Sequence, residues 1–122
     1  MVGTGEDQLY VHTREIRPGI HEVRIEGTLD FSNAGRLESV LNGLFQKGIC
    51  RLVVNLSGLK YVSSVGLGCL ISSLDVATQN DGNIVFTETP PDIQSVFNLS
   101  GLAQVLRFAE NEAKAVEQFT IV

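Results

Sequence analysis

The segment Arg51–Leu56 contains three consecutive apolar residues, Leu52, Val53 and Val54, with no polar residue between them. A strand with one face in solvent alternates apolar and polar side chains, so an unbroken run indicates a strand covered on both faces. Such strands are typical of parallel sheets that pack between helices. The run Ile84–Phe86 predicts a second short strand of this apolar kind. The two runs indicate a fold built on a buried, largely parallel sheet.

Helical spacing of apolar residues predicts the first helix from about Ser32 to Lys47. Its inward stripe consists of Leu37, Val40, Leu41 and Leu44. Asp30 or Ser32 is the predicted N-cap, because short polar side chains accept hydrogen bonds from the free N–H groups of a first turn. Gly48 is the predicted stop after the last turn.

Three further helices are predicted along the rest of the chain. The second follows Ser63–Ser64 and ends near Asn80–Gly82. The third opens in Thr89–Asp92, with Thr89 as the predicted cap and proline in the first position, and it ends at Gly101. The last spans about Asn111 to Phe119, with Val116 and Phe119 packing inward.

Two strands precede the first helix and one short strand precedes the last. Leu9–Ile16 and Ile20–Glu26 read as a hairpin, and Gly27 is expected to break the second strand. A final strand is expected within Leu102–Phe108. The order β-β-α-β-α-β-α-β-α predicts one α/β domain over residues 9–122, with a mixed, mainly parallel sheet of about five strands and about four helices. Residues 1–8 are expected to form a flexible tail.

Composition excludes several classes of function. Hydrophobic residues make up 43% and charged residues 19%, which is typical of a globular protein. No apolar run approaches the roughly 20 residues of a membrane span, and the first seven residues lack a signal-peptide core, so a cytoplasmic protein is expected. The net charge is −5 and no two basic residues are adjacent, so no nucleic-acid partner is predicted. Cys50 and Cys69 are expected to be reduced thiols.

Nothing in the sequence predicts a catalytic, cofactor or metal site. His12 and His21 both lie in the first hairpin, where a pair meeting across the strands is an open alternative to surface or packing roles. No catalytic serine or cysteine grouping accompanies them, and a metal would need more ligands nearby. Gly66–Gly68 lacks the remaining glycine or lysine of a phosphate-binding loop. We therefore expect a protein that is not an enzyme.

The segment Asn55–Gly68 carries a buried strand into a loop that delivers two serines to a helix N-terminus. Free N–H groups and about half a positive charge collect at such an end, so a phosphate attached there would be held by backbone donors. The alternative is that Ser63 or Ser64 serves only as an N-cap. Gly66 and Gly68 either leave the first turn bare for a partner or pack against the chain's own core.

Five short motifs, in this order and spacing, resemble those of STAS domains. They are Gly27–Asp30, Val53–Ser57, Ser63–Gly68, Phe97–Leu102 and Val105–Phe108. The resemblance spans about residues 9 to 119. By length and architecture it points to bacterial anti-sigma factor antagonists, which bind and do not catalyse.

The resemblance implies a partner and a switch. In that family the antagonist binds an anti-sigma factor that is itself a serine kinase. The kinase phosphorylates a serine at the start of the antagonist's second helix, and the two proteins then no longer bind. A serine phosphatase removes the phosphate. Aligned on Gly66–Leu67, the acceptor falls on Ser64, with Ser63 as the alternative. The family's aspartate falls on Ser63, so this chain departs from the pattern at the residue before the acceptor.

The predicted partner-binding surface covers the start of the second helix and the loop around residues 28–32. Its residues are Asp30, Tyr61, Val62, Ser63, Ser64, Val65, Gly66 and Gly68. A monomer is expected. The alternative is a STAS interaction module without phosphorylation, as a stress-signalling scaffold or a cytoplasmic subunit of a lipid ABC transporter. An enzyme or a carrier of a small ligand is the third reading.

Overall fold

The computed structural model describes residues 8–120, which contain one five-stranded sheet. The strands are Leu9–Arg17 (β1), Ile20–Leu29 (β2), Arg51–Val62 (β3), Asn83–Thr87 (β4) and Arg107–Ala109 (β5). They lie in the order β1-β2-β3-β4-β5; β1 pairs with β2 antiparallel, and every later pairing is parallel. The predicted mixed, mainly parallel sheet is confirmed.

Four helices connect and follow the strands in the described part of the chain. They are Ala34–Gln46 (α1), Ser64–Gln79 (α2), Pro91–Leu99 (α3) and Glu112–Thr120 (α4). The predicted order β-β-α-β-α-β-α-β-α is confirmed. Within residues 8–120 no helix combines the length and apolar character needed to cross a bilayer.

Both faces of the sheet are covered, as the unbroken apolar run predicts. Leu52 and Val54 face the main core, which the sheet forms with α1, α2 and α3. Val53 faces the opposite side, where a smaller cluster packs under α4. That cluster consists of Ile20, Val53, Val85, Ala115 and Val116. The alternate residues of β3 thus stabilise two separate layers, because successive side chains of a strand point to opposite faces.

Three phenylalanines join the main core at the β4–β5 side. Phe86, Phe97 and Phe108 lie with ring centroids 5.5–6.0 Å apart and tilted planes. This geometry is favourable for aromatic pairs beyond the area that they bury. Phe97 is fully buried and ties α3 to the sheet.

The prediction that Gly27 ends β2 is wrong, because the strand continues to Leu29. Gly27 has φ +95°, and the β2–β3 register shifts at this point, so the glycine forms an irregularity inside the strand. The carbonyl of Gln8 accepts a hydrogen bond of 3.0 Å from Thr28 N–H. Gln8, expected in the tail, is therefore attached to the sheet, and the rest of that tail, residues 1–7, lies outside the described residues.

Two predicted helix caps are also wrong. The Asp30 carboxylate accepts hydrogen bonds from Ser32 N–H and O–H, so it closes a turn instead of capping α1, and Asn33 takes the N-cap position. In α3 the N-cap position is occupied by Pro90 and not Thr89, because two successive prolines set the extended backbone that precedes the helix. The last strand begins only at Arg107, after a short 3₁₀ turn.

The two histidines do not meet across the hairpin. His12 lies opposite Arg24, whereas His21 lies opposite Glu15. The alternative of a histidine pair is therefore ruled out by the register. Cys50 and Cys69 are both free, and both are buried.

Phe97→Ala is expected to lower the free energy of unfolding by about 3–5 kcal/mol, because it removes the buried ring that joins α3 to the sheet. Urea denaturation followed by circular dichroism measures this change. Leu99→Ala on the same helix is the control: Leu99 is 89% exposed, so its truncation should cost less than about 0.5 kcal/mol. Equal losses in the two variants would contradict the assigned packing of α3.

Candidate functional site

The two serines lie at the carboxyl edge of the sheet, where β2 and β3 end side by side. The pairing of these strands continues to the last residue of each, with Leu29 opposite Val62. One residue further on, Ser63 N–H donates a hydrogen bond of 2.9 Å to the Leu29 carbonyl. The loop after β2 and the start of α2 therefore form one continuous surface.

Ser63 is the N-cap of α2. Its backbone is extended, with φ −89° and ψ 172°, and its hydroxyl accepts a hydrogen bond of 3.2 Å from Gly66 N–H. This contact satisfies one of the free donors of the first turn. The Ser63 hydroxyl is partly buried and already engaged.

Ser64 is the first residue of α2, and it is exposed. Within residues 8–120 its hydroxyl makes no hydrogen bond, and the first turn of the helix holds no acidic residue. An anion attached here would lie at the positive end of the helix dipole, with no neighbouring carboxylate in the turn to repel it. The structure thus separates the two serines into an engaged cap and an available hydroxyl.

The two glycines of the turn have different surroundings. Gly66 is buried, and a Cβ added there would lie 2.8 Å from Leu29 Cγ and 3.0 Å from the Leu29 carbonyl oxygen. Gly68 is exposed, and an added Cβ would meet nothing within 4 Å. Gly66 therefore permits close packing of α2 on the end of β2, whereas Gly68 leaves the surface of the helix open.

Two of the eight predicted partner-binding residues lie in the interior. Val62 is 5% exposed and Gly66 is buried, so neither presents its own surface to a partner. The other six residues are at least partly accessible. They are Asp30, Tyr61, Ser63, Ser64, Val65 and Gly68.

Exposed apolar side chains flank the two serines in the sequence and occur in the neighbouring loop. Tyr61 is 53% exposed and Val65 is 52% exposed, on either side of the two serines. Phe31, in the neighbouring loop, is 83% exposed and was not singled out by the sequence analysis. The sequence does contain an indication of this exposed residue, because Phe31 is a large apolar side chain between Asp30 and Ser32 in a polar turn. Exposed aromatic residues near a modifiable hydroxyl are typical of protein-binding surfaces.

A polar cluster that the sequence analysis missed lies on the other face of the sheet. Glu22 of β2 is only 3% exposed. Arg14 donates to it from Nε at 2.9 Å and to Glu112 of α4 from Nη2 at 2.8 Å. The hydrogen bond and charge of Glu22 raise the pKa of Arg14. Through these two ion pairs Arg14 links Glu112 of α4 to β1 and β2.

The described residues offer little for metal binding, and the hollow at the ends of β4 and β5 does not suit a free anion. Within residues 8–120 no three histidine, cysteine or carboxylate side chains form a cluster that could hold a metal ion. A hollow of about 520 Å³ at the ends of β4 and β5 is lined by Glu88 and Glu110 among neutral residues, so it repels anions. Burial raises the pKa of the Cys69 thiol, which keeps it neutral and unreactive.

Comparisons with known proteins agree with this architecture. Residues 13–115 match the STAS domain family. The anti-sigma-B factor antagonist of Staphylococcus epidermidis is 33% identical over 97 residues, which cover 80% of this chain and 88% of the relative.

Solved structures share the fold at lower identity. An anti-sigma factor antagonist from Mycobacterium paratuberculosis superposes with a TM-score of 0.81 at 20% identity, covering 92% of this chain and 94% of that one. SpoIIAA, a Bacillus cell fate determinant, superposes in its unphosphorylated form with a TM-score of 0.77 at 20% identity, over 93% and 99% of the two chains. Its phosphorylated form gives 0.70 at 19% identity, over 90% and 99%.

Gly66→Ala is expected to lower the free energy of unfolding by about 1–3 kcal/mol, because the added methyl group overlaps Leu29. Gly68→Ala is the matched control two residues further along α2. There the methyl group meets no neighbour, so better helix propensity should raise stability by up to about 1 kcal/mol. Urea denaturation of both variants measures the difference, and stabilisation by Gly66→Ala would refute the close approach of α2 to β2.

Proposed function

Because the chain belongs to the STAS domain family, we propose that it is an anti-sigma factor antagonist, a regulatory binding protein that acts in the cytoplasm and is not an enzyme. Its partner is an anti-sigma factor that is a serine kinase. Binding of the unmodified chain releases a sigma factor, and phosphorylation of Ser64 ends that binding. A serine phosphatase restores the binding form.

The observation that carries this proposal is the contrast between the two serines. The Ser63 hydroxyl accepts a bond from Gly66 N–H, whereas the Ser64 hydroxyl is exposed at the first residue of α2. A kinase needs a hydroxyl that can enter its active site in line with the γ-phosphate. Ser64 meets this requirement without loss of a helix cap, so it is the preferred acceptor.

The local electrostatics favour a stable phosphoserine at this position. The phosphate brings a charge of about −1.5 to −2 to the positive end of α2. No acidic residue of the first turn opposes it. SpoIIAA, which has the same fold, was solved in unphosphorylated and phosphorylated forms, which supports a phosphate being compatible with this architecture.

The same phosphate would disrupt binding, because exposed apolar residues lie on both sides of Ser64 in the sequence. Tyr61 and Val65 are each about half exposed on either side of it. An interface that covers these side chains also removes water from Ser64. A doubly charged group there would lose hydration without gaining a partner group, and an unpaired charge in an interface is costly.

The serine at position 63 favours a second candidate function. The family's aspartate would supply a charged cap before the acceptor, whereas the Ser63 hydroxyl supplies only a neutral one. If a kinase requires that carboxylate, the chain acts as an interaction module whose binding is constitutive. Such a module would serve a stress-signalling scaffold or the cytoplasmic part of a lipid ABC transporter.

Incubation with ATP and the serine-kinase anti-sigma factors of its host is expected to add one phosphate to the wild-type chain. Ser63→Ala should still be phosphorylated, although loss of the cap lowers stability by about 1 kcal/mol. Ser64→Ala should remain unmodified. Mass spectrometry with peptide mapping distinguishes the two serines, and modification of Ser64→Ala but not Ser63→Ala would transfer the acceptor to Ser63.

Ser64→Glu is expected to weaken binding to the anti-sigma factor at least about tenfold relative to Ser64→Ala, since it places a carboxylate within the apolar surface. Isothermal titration calorimetry measures both affinities. The two variants differ at one exposed side chain, so their folding stabilities should be similar. Equal affinities for the same partner would favour the constitutive interaction module.

A further inference from the structure

A groove lies between α1 and α2, beside Ser64. It encloses about 290 Å³ and is open to solvent. Its lining residues are Phe31, Ala34, Gly35, Glu38, Val65, Cys69 and Ser72. Phe31 and Val65 are its most exposed apolar members, at 83% and 52%. The groove therefore continues the surface around Ser64 along the two helices.

Small residues of α1 keep the groove open. Ala34 and Gly35 stand where the helix faces it, and a Cβ added at Gly35 would meet nothing within 4 Å. Neither a positive φ nor close packing requires glycine at position 35. The space above Gly35 can therefore accept a side chain from a partner.

The backbone around Phe31 is held by a network of hydrogen bonds. The Asp30 carboxylate accepts Ser32 N–H at 2.9 Å, and the Asn33 side chain accepts Asp30 N–H at 3.0 Å. The Asn33 amide also donates to the Thr28 carbonyl at 3.0 Å. The backbone on both sides of Phe31 is thus fixed before any partner arrives, which reduces the entropy lost on binding.

The groove carries one negative charge and no positive one. Glu38 is its only ionisable residue apart from the Cys69 thiol, and no ion pair of Glu38 occurs within residues 8–120. The Glu38 carboxylate contributes, after burial, to the raised pKa of Cys69. A complementary partner therefore presents a cation at this end and apolar surface at the Phe31 end.

We propose that this groove receives an apolar side chain of the anti-sigma factor, next to an arginine or lysine that pairs with Glu38. The inference rests on the proposed function and adds the contact chemistry of the partner. Phe31 and Val65 flank the apolar side chain, and Gly35 lies beneath it. Contact here places Ser64 at the margin of the same interface, so phosphorylation and groove binding act on one surface.

Binding of the partner in the groove is tested with a variant whose larger side chain occupies the groove. Gly35→Gln introduces a side chain into the groove, and Gly43→Gln on the same helix is the matched control because Gly43 does not line it. An added Cβ meets nothing within 4 Å at either glycine. Gly35→Gln and Phe31→Ala should each raise the Kd for the anti-sigma factor at least about tenfold, whereas Gly43→Gln should leave it unchanged. Urea denaturation confirms that all three variants fold.

The charge is tested separately. Glu38→Gln should raise the Kd several-fold at low salt and flatten its salt dependence, since an exposed pair weakens as salt screens it. Asp75→Asn, an exposed carboxylate of α2 outside the groove, is the control and should change neither quantity.

The outcomes separate this inference from the function on which it rests. If no serine-kinase anti-sigma factor of the host binds the wild-type chain, the proposed function fails and the inference fails with it. If one binds but Gly35→Gln and Phe31→Ala bind equally well, the groove assignment alone is overturned. If light scattering shows a wild-type dimer that Gly35→Gln dissociates, the occupant is a second copy of the chain and the proposal is also overturned.

Discussion

The parallel pairing of β2 with β3, carried to the last residue of each strand, is the constraint on which the site depends. It places Leu29 opposite Val62, and the next hydrogen bond, from Ser63 N–H to the Leu29 carbonyl, joins the two loops that follow. Gly66 then lets α2 approach Leu29 closely. A shift of one residue in this register would turn the side chains at the end of one strand to the opposite face and separate the two loops.

The site contains backbone donors, an available serine hydroxyl and apolar surface, and this content suits recognition better than catalysis. A phosphate on Ser64 needs only the helix N-terminus to hold it, because the N–H groups of a first turn already point outward. Ser63 keeps the helix start intact without a charge of its own. The polar cluster around Arg14 and Glu22 lies on the opposite face and serves to attach α4.

Much of this fold could be predicted from the sequence, because apolar periodicity reports which faces are buried. The run Leu52–Val54 indicated a sheet covered on both sides, and the structure confirms it. Details set by tertiary contacts could not be predicted. Gly27 continues β2 because β1 and β3 pair with it on either side, and Glu22 is buried where Arg14 joins it to Glu112 of α4. The sequence predicted the helix start at Ser63–Ser64, whereas the groove beside Phe31 arises only where two helices meet.

The most direct measurement is the intact mass of the chain purified from its native host under several growth conditions, with peptide mapping of residues 51–79. The proposed switch predicts two populations that differ by one phosphoryl group, with the modification on Ser64 and its fraction changing between conditions. A single unmodified mass under every condition would contradict a phosphorylation switch at this site.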